Sequence, residues 1–307
     1  MDNRNKLRGA VIALIIANFI WGAGPPIYKW VLEDIGPFTL AFARFFFASF
    51  VLLPFAYKHL KIERGDIKKL FLIAFLGISI NISFFFVGLQ NAPSINAGII
   101  GSAAPIFIIF GSIMFLKERP KGKVIIGSNI GLIGVLIIIL SPLLKQGFNM
   151  STSVSFFGNM MLLISMFGNM SITILGRKLV EKYEPIAITF WSSLIGSLTF
   201  FPFFFNELAS NNWHLNLTPR SEGGILFGII FSSSLAYFLF YHALKYMKAS
   251  DTGVFTYLDP IATILIAVPL LHEIPGPFFI LGSVFVFLGI YIAEGRIHWH
   301  PIHLLRR

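Results

Sequence analysis

The chain has 307 residues, of which 56% are hydrophobic and only 12% charged, with a formal net charge of +10 and a mean hydropathy of +0.78. Soluble domains carry roughly 25% charged residues, so a water-soluble fold is excluded and lipid must supply part of the solvent. Cysteine is absent, which excludes disulfides, thiolate zinc sites and a cysteine nucleophile. The basic residues sit in short clusters between apolar runs, without the basic–aromatic interleaving of a nucleic-acid interface.

Residues 1–8 are polar and basic and lead into an apolar run to about Tyr28. That run is too long for a signal-peptide core and no Ala-x-Ala site follows, so it reads as a retained first span. Apolar runs then fall near 8–29, 37–57, 67–89, 93–116, 122–143, 153–176, 185–206, 222–246, 250–271 and 276–295. Each is close to the ~20 residues that cross ~30 Å of hydrocarbon at ~1.5 Å per residue.

Orientation follows from lysine and arginine, which accumulate in cytoplasmic loops. With the N-terminus inside, 20 of the 24 fall in inward regions, Lys29, Lys145 and Arg220 fall outside, and Arg44 lies within a span. The expected arrangement is a multi-pass protein of the cell inner membrane with both termini cytoplasmic.

Sliding the chain against itself by 155 residues sets Gly98 on Gly253, Pro105 on Pro260, Glu118 on Glu273, Gly127 on Gly282 and Gly134 on Gly289. Further back, Trp21-Gly22 answers Phe167-Gly168 at a shift of 146, and Pro37 answers Pro185 at 148. The unit is therefore five spans used twice. Because five is odd, the second copy is inverted in the membrane. The expected fold is all-α and integral to the membrane: ten transmembrane helices as two inverted five-helix repeats, residues 1–145 and 150–296, with a short tail at 297–307. Inverted repeats are the signature of alternating-access carriers, with the substrate site near mid-membrane between the copies.

Several features together resemble the drug/metabolite transporter superfamily, of the EamA type, over nearly the whole chain. They are the two five-span units, Trp21-Gly22, Arg44, Ser102-Ala103-Ala104-Pro105 followed by Phe115-Leu116-Lys117-Glu118-Arg119, and Leu258-Asp259-Pro260 followed by Leu270-Leu271-His272-Glu273. The resemblance implies ten helices around a central cavity, in a family whose members export amino acids and related metabolites or take up others. Asp259 stands where a glutamate is common, and Asn169 and its neighbours replace an expected tryptophan.

Asp259 lies about nine residues into the ninth span, roughly 13 Å deep by helical rise. A carboxylate there is costly and marks function by default; it would bind a substrate amine, carry a proton, or serve helix packing beside Pro260. Arg44, the other charge inside a span, would neutralise Asp259, bind a substrate carboxylate, or reach outward along its stem. Trp21, Asn81, Tyr237 and Tyr257 are the expected cavity wall, selective for an apolar or aromatic body. Pro25, Pro105 and Pro260 each interrupt the helix ladder and mark kinks. Glu118 and Glu273 end matching spans at opposite faces, as gate residues or as local charges. Gly127, Gly131, Gly134, Gly282 and Gly289 allow close helix contact, within the chain or, as the resemblance implies, in a homodimer.

No phosphate-binding Gly-rich loop, zinc-protease motif or intramembrane catalytic pair is present, so no catalytic residue, metal site or cofactor is expected. His298, His300 and His303 in the tail read as solvated. The expected partners are a small-molecule substrate and the lipid bilayer. The topology is open to direct labelling because the chain has no cysteine background. Single Gln146→Cys and Asn212→Cys variants are expected to react with an impermeant thiol reagent from outside, and Gly65→Cys and Gly122→Cys are not; equal labelling at all four defeats the assigned orientation.

Overall fold

The computed structural model describes residues 3–106, 122–210, 217–247 and 252–294. Among these residues the chain forms ten helical spans and no strand. They are α1 (Asn3–Val31), α2 (Pro37–Ala56), α3 (Arg64–Asn91), α4 (Ser94–Ile106), α5 (Gly122–Gln146), α6 (Met150–Val180), α7 (Pro185–Ser210), α8 (Pro219–Tyr246), α9 (Leu258–Leu271) and α10 (Pro277–Glu294). Seven are long and apolar enough to cross a membrane, and the other three, in the α4, α9 and α10 regions, are shorter apolar helices. Part of the expected fourth span lies outside the described residues, as do Glu118 and the histidines of the tail. Leu265, Val284, Phe203 and Phe205 are among many large apolar side chains exposed on the bundle surface, which suits a lipid solvent.

The two halves of the chain share helix irregularities. Within α3, Ile73–Ile80 winds as a π-helix, and within α8, Gly228–Ala236 does the same, 155 residues later. In α4 the regular helix ends at Ser102, just before Pro105. Its counterpart α9 is entered through 3-10 turns at Gly253–Tyr257, and Pro260 sits in its first regular turn. A proline there loses no ladder bond, because first-turn N–H groups have no intrahelical partner. Pro25 and Pro26 lie inside an unbroken α1. Pro26 cannot donate to the Gly22 carbonyl, and the Thr263 hydroxyl donates to that carbonyl at 2.6 Å instead.

The halves interlock rather than sit side by side. α2 packs on α7 and α5 on α10; α1 crosses α8 and α9, while α6 crosses α3 and α4. Close crossings use glycine. A Cβ at Gly22 would lie 2.5 Å from the Asp259 carbonyl, and one at Gly168 would lie 2.5 Å from the Leu76 carbonyl.

Polar contacts gather at the two ends. At one end Arg220 pairs with Asp34 at 2.9 Å and Glu33 at 3.0 Å, and its hydrogen bond holds the Asp34 carboxyl below its ordinary range. The Glu207 carboxylate accepts from the Phe38 and Thr39 backbone N–H groups, capping α2. At the opposite end Lys182 pairs with Asp66 at 2.9 Å and Lys245 with Glu184 at 2.9 Å. Hydrogen bonding to Asp66 raises the Lys182 ammonium above its ordinary range.

The repeat glycines of α5 and α10 are used against each other within one chain. A Cβ at Gly134 would lie 2.5 Å from the Gly282 carbonyl, and one at Gly289 would lie 2.5 Å from the Gly127 carbonyl. Both obstacles are backbone, which cannot rotate away, so overpacking should cost at least the usual ~1–3 kcal/mol. Gly289→Val is therefore expected to lower the melting temperature of the detergent-solubilised protein by several degrees. Gly223→Ala, on an α8 surface with nothing within 4 Å, is expected to leave it unchanged or slightly raised. Equal melting for both variants defeats this account of α5–α10 packing.

Candidate functional site

A cavity of about 140 Å³, measured as the space open to the centre of a water molecule, lies within the bundle. Its described wall comes from α1, α2, α3, α4, α6, α8 and the entry to α9, with no residue from α5, α7 or α10. The α1 contribution, Asn18, Trp21, Gly22, Pro25 and Tyr28, recurs every three or four residues, as one helix face must.

Of the residues singled out by sequence, Trp21, Pro25, Arg44, Asn81, Pro105, Tyr237 and Asp259 line this cavity. Tyr257 and Pro260 are not in its lining, although both flank Asp259. The Tyr257 ring meets Phe287 of α10 edge-on at 6.4 Å, because it leaves the entry to α9 on another face. Glu273 stands apart, at the end of the bundle. Its Oε1 accepts from the Ser94 N–H at 2.9 Å, and its Oε2 from the Ser94 hydroxyl at 2.8 Å and the Ile95 N–H at 3.0 Å. It is a cap on the N-terminus of α4, where a carboxylate meets both unpaired N–H groups and the positive helix end. Glu118 lies outside the described residues.

The aromatic wall is continuous. Trp21 meets Tyr237 edge-on at 5.2 Å and Phe240 at 5.3 Å; Tyr237 in turn meets Phe45 at 5.7 Å. The Trp21 indole N–H reaches the Ser232 carbonyl at a long 3.4 Å. Asn81 begins the regular turn after the π-helical stretch of α3, and its amide donates to the Gly77 carbonyl at 3.2 Å.

Arg44 is 2% exposed. Its Nε donates to the Ser233 hydroxyl at 3.2 Å and its Nη2 to the Ser232 hydroxyl at 2.9 Å. Both serines belong to the π-helical stretch of α8; such stretches widen the turn and recur at functional sites. The guanidinium carbon lies 4.2 Å from the centre of the Tyr28 ring, 5.2 Å from Phe45 and 5.3 Å from Phe86. Among the described residues no carboxylate pairs with it, so of its three readings an ion pair with Asp259 is not formed in this structure. Tyr28, Ser232 and Ser233 escaped the sequence reading. Tyr28 shares an α1 face with Trp21, the signal that would have found it; the serines carry none.

Asp259 reaches the cavity from the first turn of α9. Its Oδ1 is buried without a hydrogen-bond partner among the described residues. Such an atom loses its water without replacement, at a cost of several kcal/mol in an apolar setting. An incoming cation or proton offsets that cost. The cavity thus holds one carboxyl group and one guanidinium that do not satisfy each other, set in an aromatic wall. Among the described residues no cluster of His, Cys, Asp or Glu could hold a metal ion.

This architecture defines a polytopic helical membrane protein with an internal cavity. The sequence profile of the EamA-like transporter family matches residues 8–140 and again 156–294, once per half. The chain belongs to the EamA-like transporter family. It is 28% identical to an uncharacterized transporter of Archaeoglobus fulgidus, covering 92% of this chain and 97% of that one. It is 27% identical to the uncharacterized transporter YetK of Bacillus subtilis, over 94% of this chain and 87% of the relative. An S-adenosylmethionine uptake transporter of Rickettsia conorii is 28% identical, over 86% and 85%. A crystal structure with 15% sequence identity shares the fold, with a TM-score of 0.64 over 97% of this chain and 99% of that chain. The chain is accordingly a multi-pass membrane transporter of the drug/metabolite transporter superfamily.

Proposed function

We propose that the chain is a secondary carrier that works by alternating access between two inverted repeats, residues 1–145 and 150–296. It moves an amino acid or a close amphiphilic derivative outward across the cell inner membrane, with both termini cytoplasmic. The observation that carries this reading is Asp259, which lines an aromatic-walled cavity and whose buried Oδ1 has no hydrogen-bond partner among the described residues. A carboxylate takes the substrate amine, and the Trp21–Tyr237–Phe240 wall takes the apolar or planar body through ring contacts and cation–π attraction. Phosphorylated solutes fit poorly, because Arg44 is the single Lys or Arg among the described lining residues and phosphate recognition calls for a cationic cluster.

A second reading is uptake of a cationic amino-acid derivative. It is favoured by the rickettsial relatives named S-adenosylmethionine uptake transporters, since sulfonium and ammonium groups suit the same carboxylate and rings. The two readings share the site and differ in direction.

Overexpression is expected to raise tolerance to toxic amino-acid analogues or dipeptides, and Trp21→Ala to cancel the gain. Asp259→Asn is expected to leave membrane expression intact while lowering transport at least about tenfold, the worth of one charge-assisted contact. Normal transport by Asp259→Asn removes the carboxylate from the site. Transport confined to phosphorylated solutes overturns the substrate class.

A further inference from the structure

We infer that Arg44 is the subsite for the carboxylate of the solute. This rests on the reading of the cavity as the transport site. Arg44 lacks a counter-charge among the described residues. It is buried and charged, yet among the described residues its polar partners are two neutral serine hydroxyls and its other neighbours are aromatic faces. Hydroxyl dipoles and ring quadrupoles hold a guanidinium in place, but they do not neutralise it. Its Nε and Nη2 are committed to Ser233 and Ser232, while Nη1 has no hydrogen bond among the described residues. The planar group is therefore fixed by Tyr28 and the serines with donor capacity left for an anion at the cavity wall.

Dipolar selectivity follows from the pair. A plain amine satisfies Asp259 and leaves Arg44 without a counter-charge; a plain acid does the reverse. A solute that carries both charges far enough apart to reach both groups leaves neither uncompensated, and the aromatic wall accommodates its apolar body. The two groups form no ion pair with each other that the solute would first have to break.

Three probes of one shape separate the roles: L-phenylalanine, phenethylamine and 3-phenylpropionate, tested for binding to the purified wild-type protein and its variants. Wild type is expected to prefer phenylalanine over either singly charged probe by about tenfold or more. Arg44→Gln is expected to lower phenylalanine binding by a similar factor and to leave phenethylamine binding within about threefold. Arg44→Lys, which keeps the charge without the planar fork, is expected to recover part of the loss. Equal loss of phenylalanine and phenethylamine in Arg44→Gln makes Arg44 a scaffold residue and overturns the inference. So does wild-type binding of phenethylamine as tight as that of phenylalanine. If phenethylamine binding still depends on Asp259, the amine reading survives that failure; if none of the probes binds folded wild type, both readings fall.

A second inference stands on different residues, at the ends of the bundle. The Lys29 ammonium donates to the Leu89 carbonyl at 3.1 Å and to the Ala92 carbonyl, gripping the C-terminus of α3. The Arg177 guanidinium donates through Nη1 to the Met247 carbonyl at 3.1 Å and to the Leu244 carbonyl, gripping the C-terminus of α8. The repeat maps one onto the other: Lys29 falls on Arg177 at a shift of 148, and Leu89 and Ala92 fall on Leu244 and Met247 at 155. The gripped ends match in detail. Ala92 is extended at φ −126° and ψ 159° with its N–H on the Gly88 carbonyl; Met247 is extended at φ −121° and ψ 154°, with its N–H on the Ala243 carbonyl. A cation at a helix C-terminus meets both the unpaired carbonyls and the negative helix end. Odd and even spans run in opposite directions, so the two clamps lie at opposite ends of the bundle.

The geometry points to these clamps as a pair of latches, one for each side. α1, α3, α6 and α8 all line the cavity, so opening it at one end separates α1 from α3, or α6 from α8. Both latches are closed in this structure. The test is a single cysteine at the cavity-lining Met170, Met170→Cys, in a chain with no native cysteine. Labelling by an impermeant maleimide is compared in membrane vesicles of both orientations. Lys29→Met is expected to raise labelling from the Lys29 side and lower it from the other by about fivefold, the low end of ordinary conformational coupling. Arg177→Met is expected to do the opposite, and Lys29→Arg to restore the wild-type pattern. Changes of the same sense in both methionine variants, or unchanged labelling from both sides, overturn the latch assignment.

Discussion

The whole structure depends on one constraint: within hydrocarbon, each backbone group released from a helix ladder must find a partner inside the protein. This chain breaks or ends its helices often, and it meets the constraint with side chains brought from elsewhere in the bundle. Carboxylates from the second half cap helices of the first, Glu207 on α2 and Glu273 on α4. Thr263, also from the second half, meets the carbonyl that Pro26 frees in α1. The cations that grip helix C-termini work within each half instead, Lys29 on α3 and Arg177 on α8. Contacts between halves therefore fix where the repeats meet, while contacts within a half fix how each repeat folds. Loss of any one strands polar groups that lipid cannot solvate.

The same constraint shapes the cavity. Proline-disturbed α4 and α9 and the π-helical stretches of α3 and α8 are irregular where they face the interior. Irregular backbone is tolerated at membrane depth only where protein or a water-filled space receives it. The π-helical stretch of α8 illustrates the use made of this freedom, since it presents Ser232 and Ser233 together to one guanidinium.

Much of this was legible in the sequence, for identifiable reasons. The ten spans, the repeat and the cavity-lining positions of Trp21, Asn81, Tyr237, Arg44 and Asp259 could be read because a polar group inside an apolar run is conspicuous. Tyr257 was expected in the wall as a polar aromatic side chain within a span; it lies in the 3-10 turns ahead of α9, and its ring meets Phe287 of α10 instead. The partners of Arg44 were not legible, because nothing in α2 points to Ser232 and Ser233, almost two hundred residues later. The clamps at Lys29 and Arg177 left no trace either. Their acceptors are backbone carbonyls, which every residue has, and the cations differ in type between the halves.

The clamps and the π-helical stretches are repeated, but the two charged residues of the described cavity wall are not. Lys29 has Arg177, Gly22 has Gly168, and the π-helical stretch of α3 has that of α8. Asp259, by contrast, falls on Ala104 at a shift of 155, Arg44 falls on Ser192 at 148, and Tyr237 falls on Ile82. Each half contributes one charge to the cavity, and neither charge is duplicated. Arg44 and Asp259, one from each half, are left without a counter-charge among the described residues, at positions where the other half carries Ser192 and Ala104.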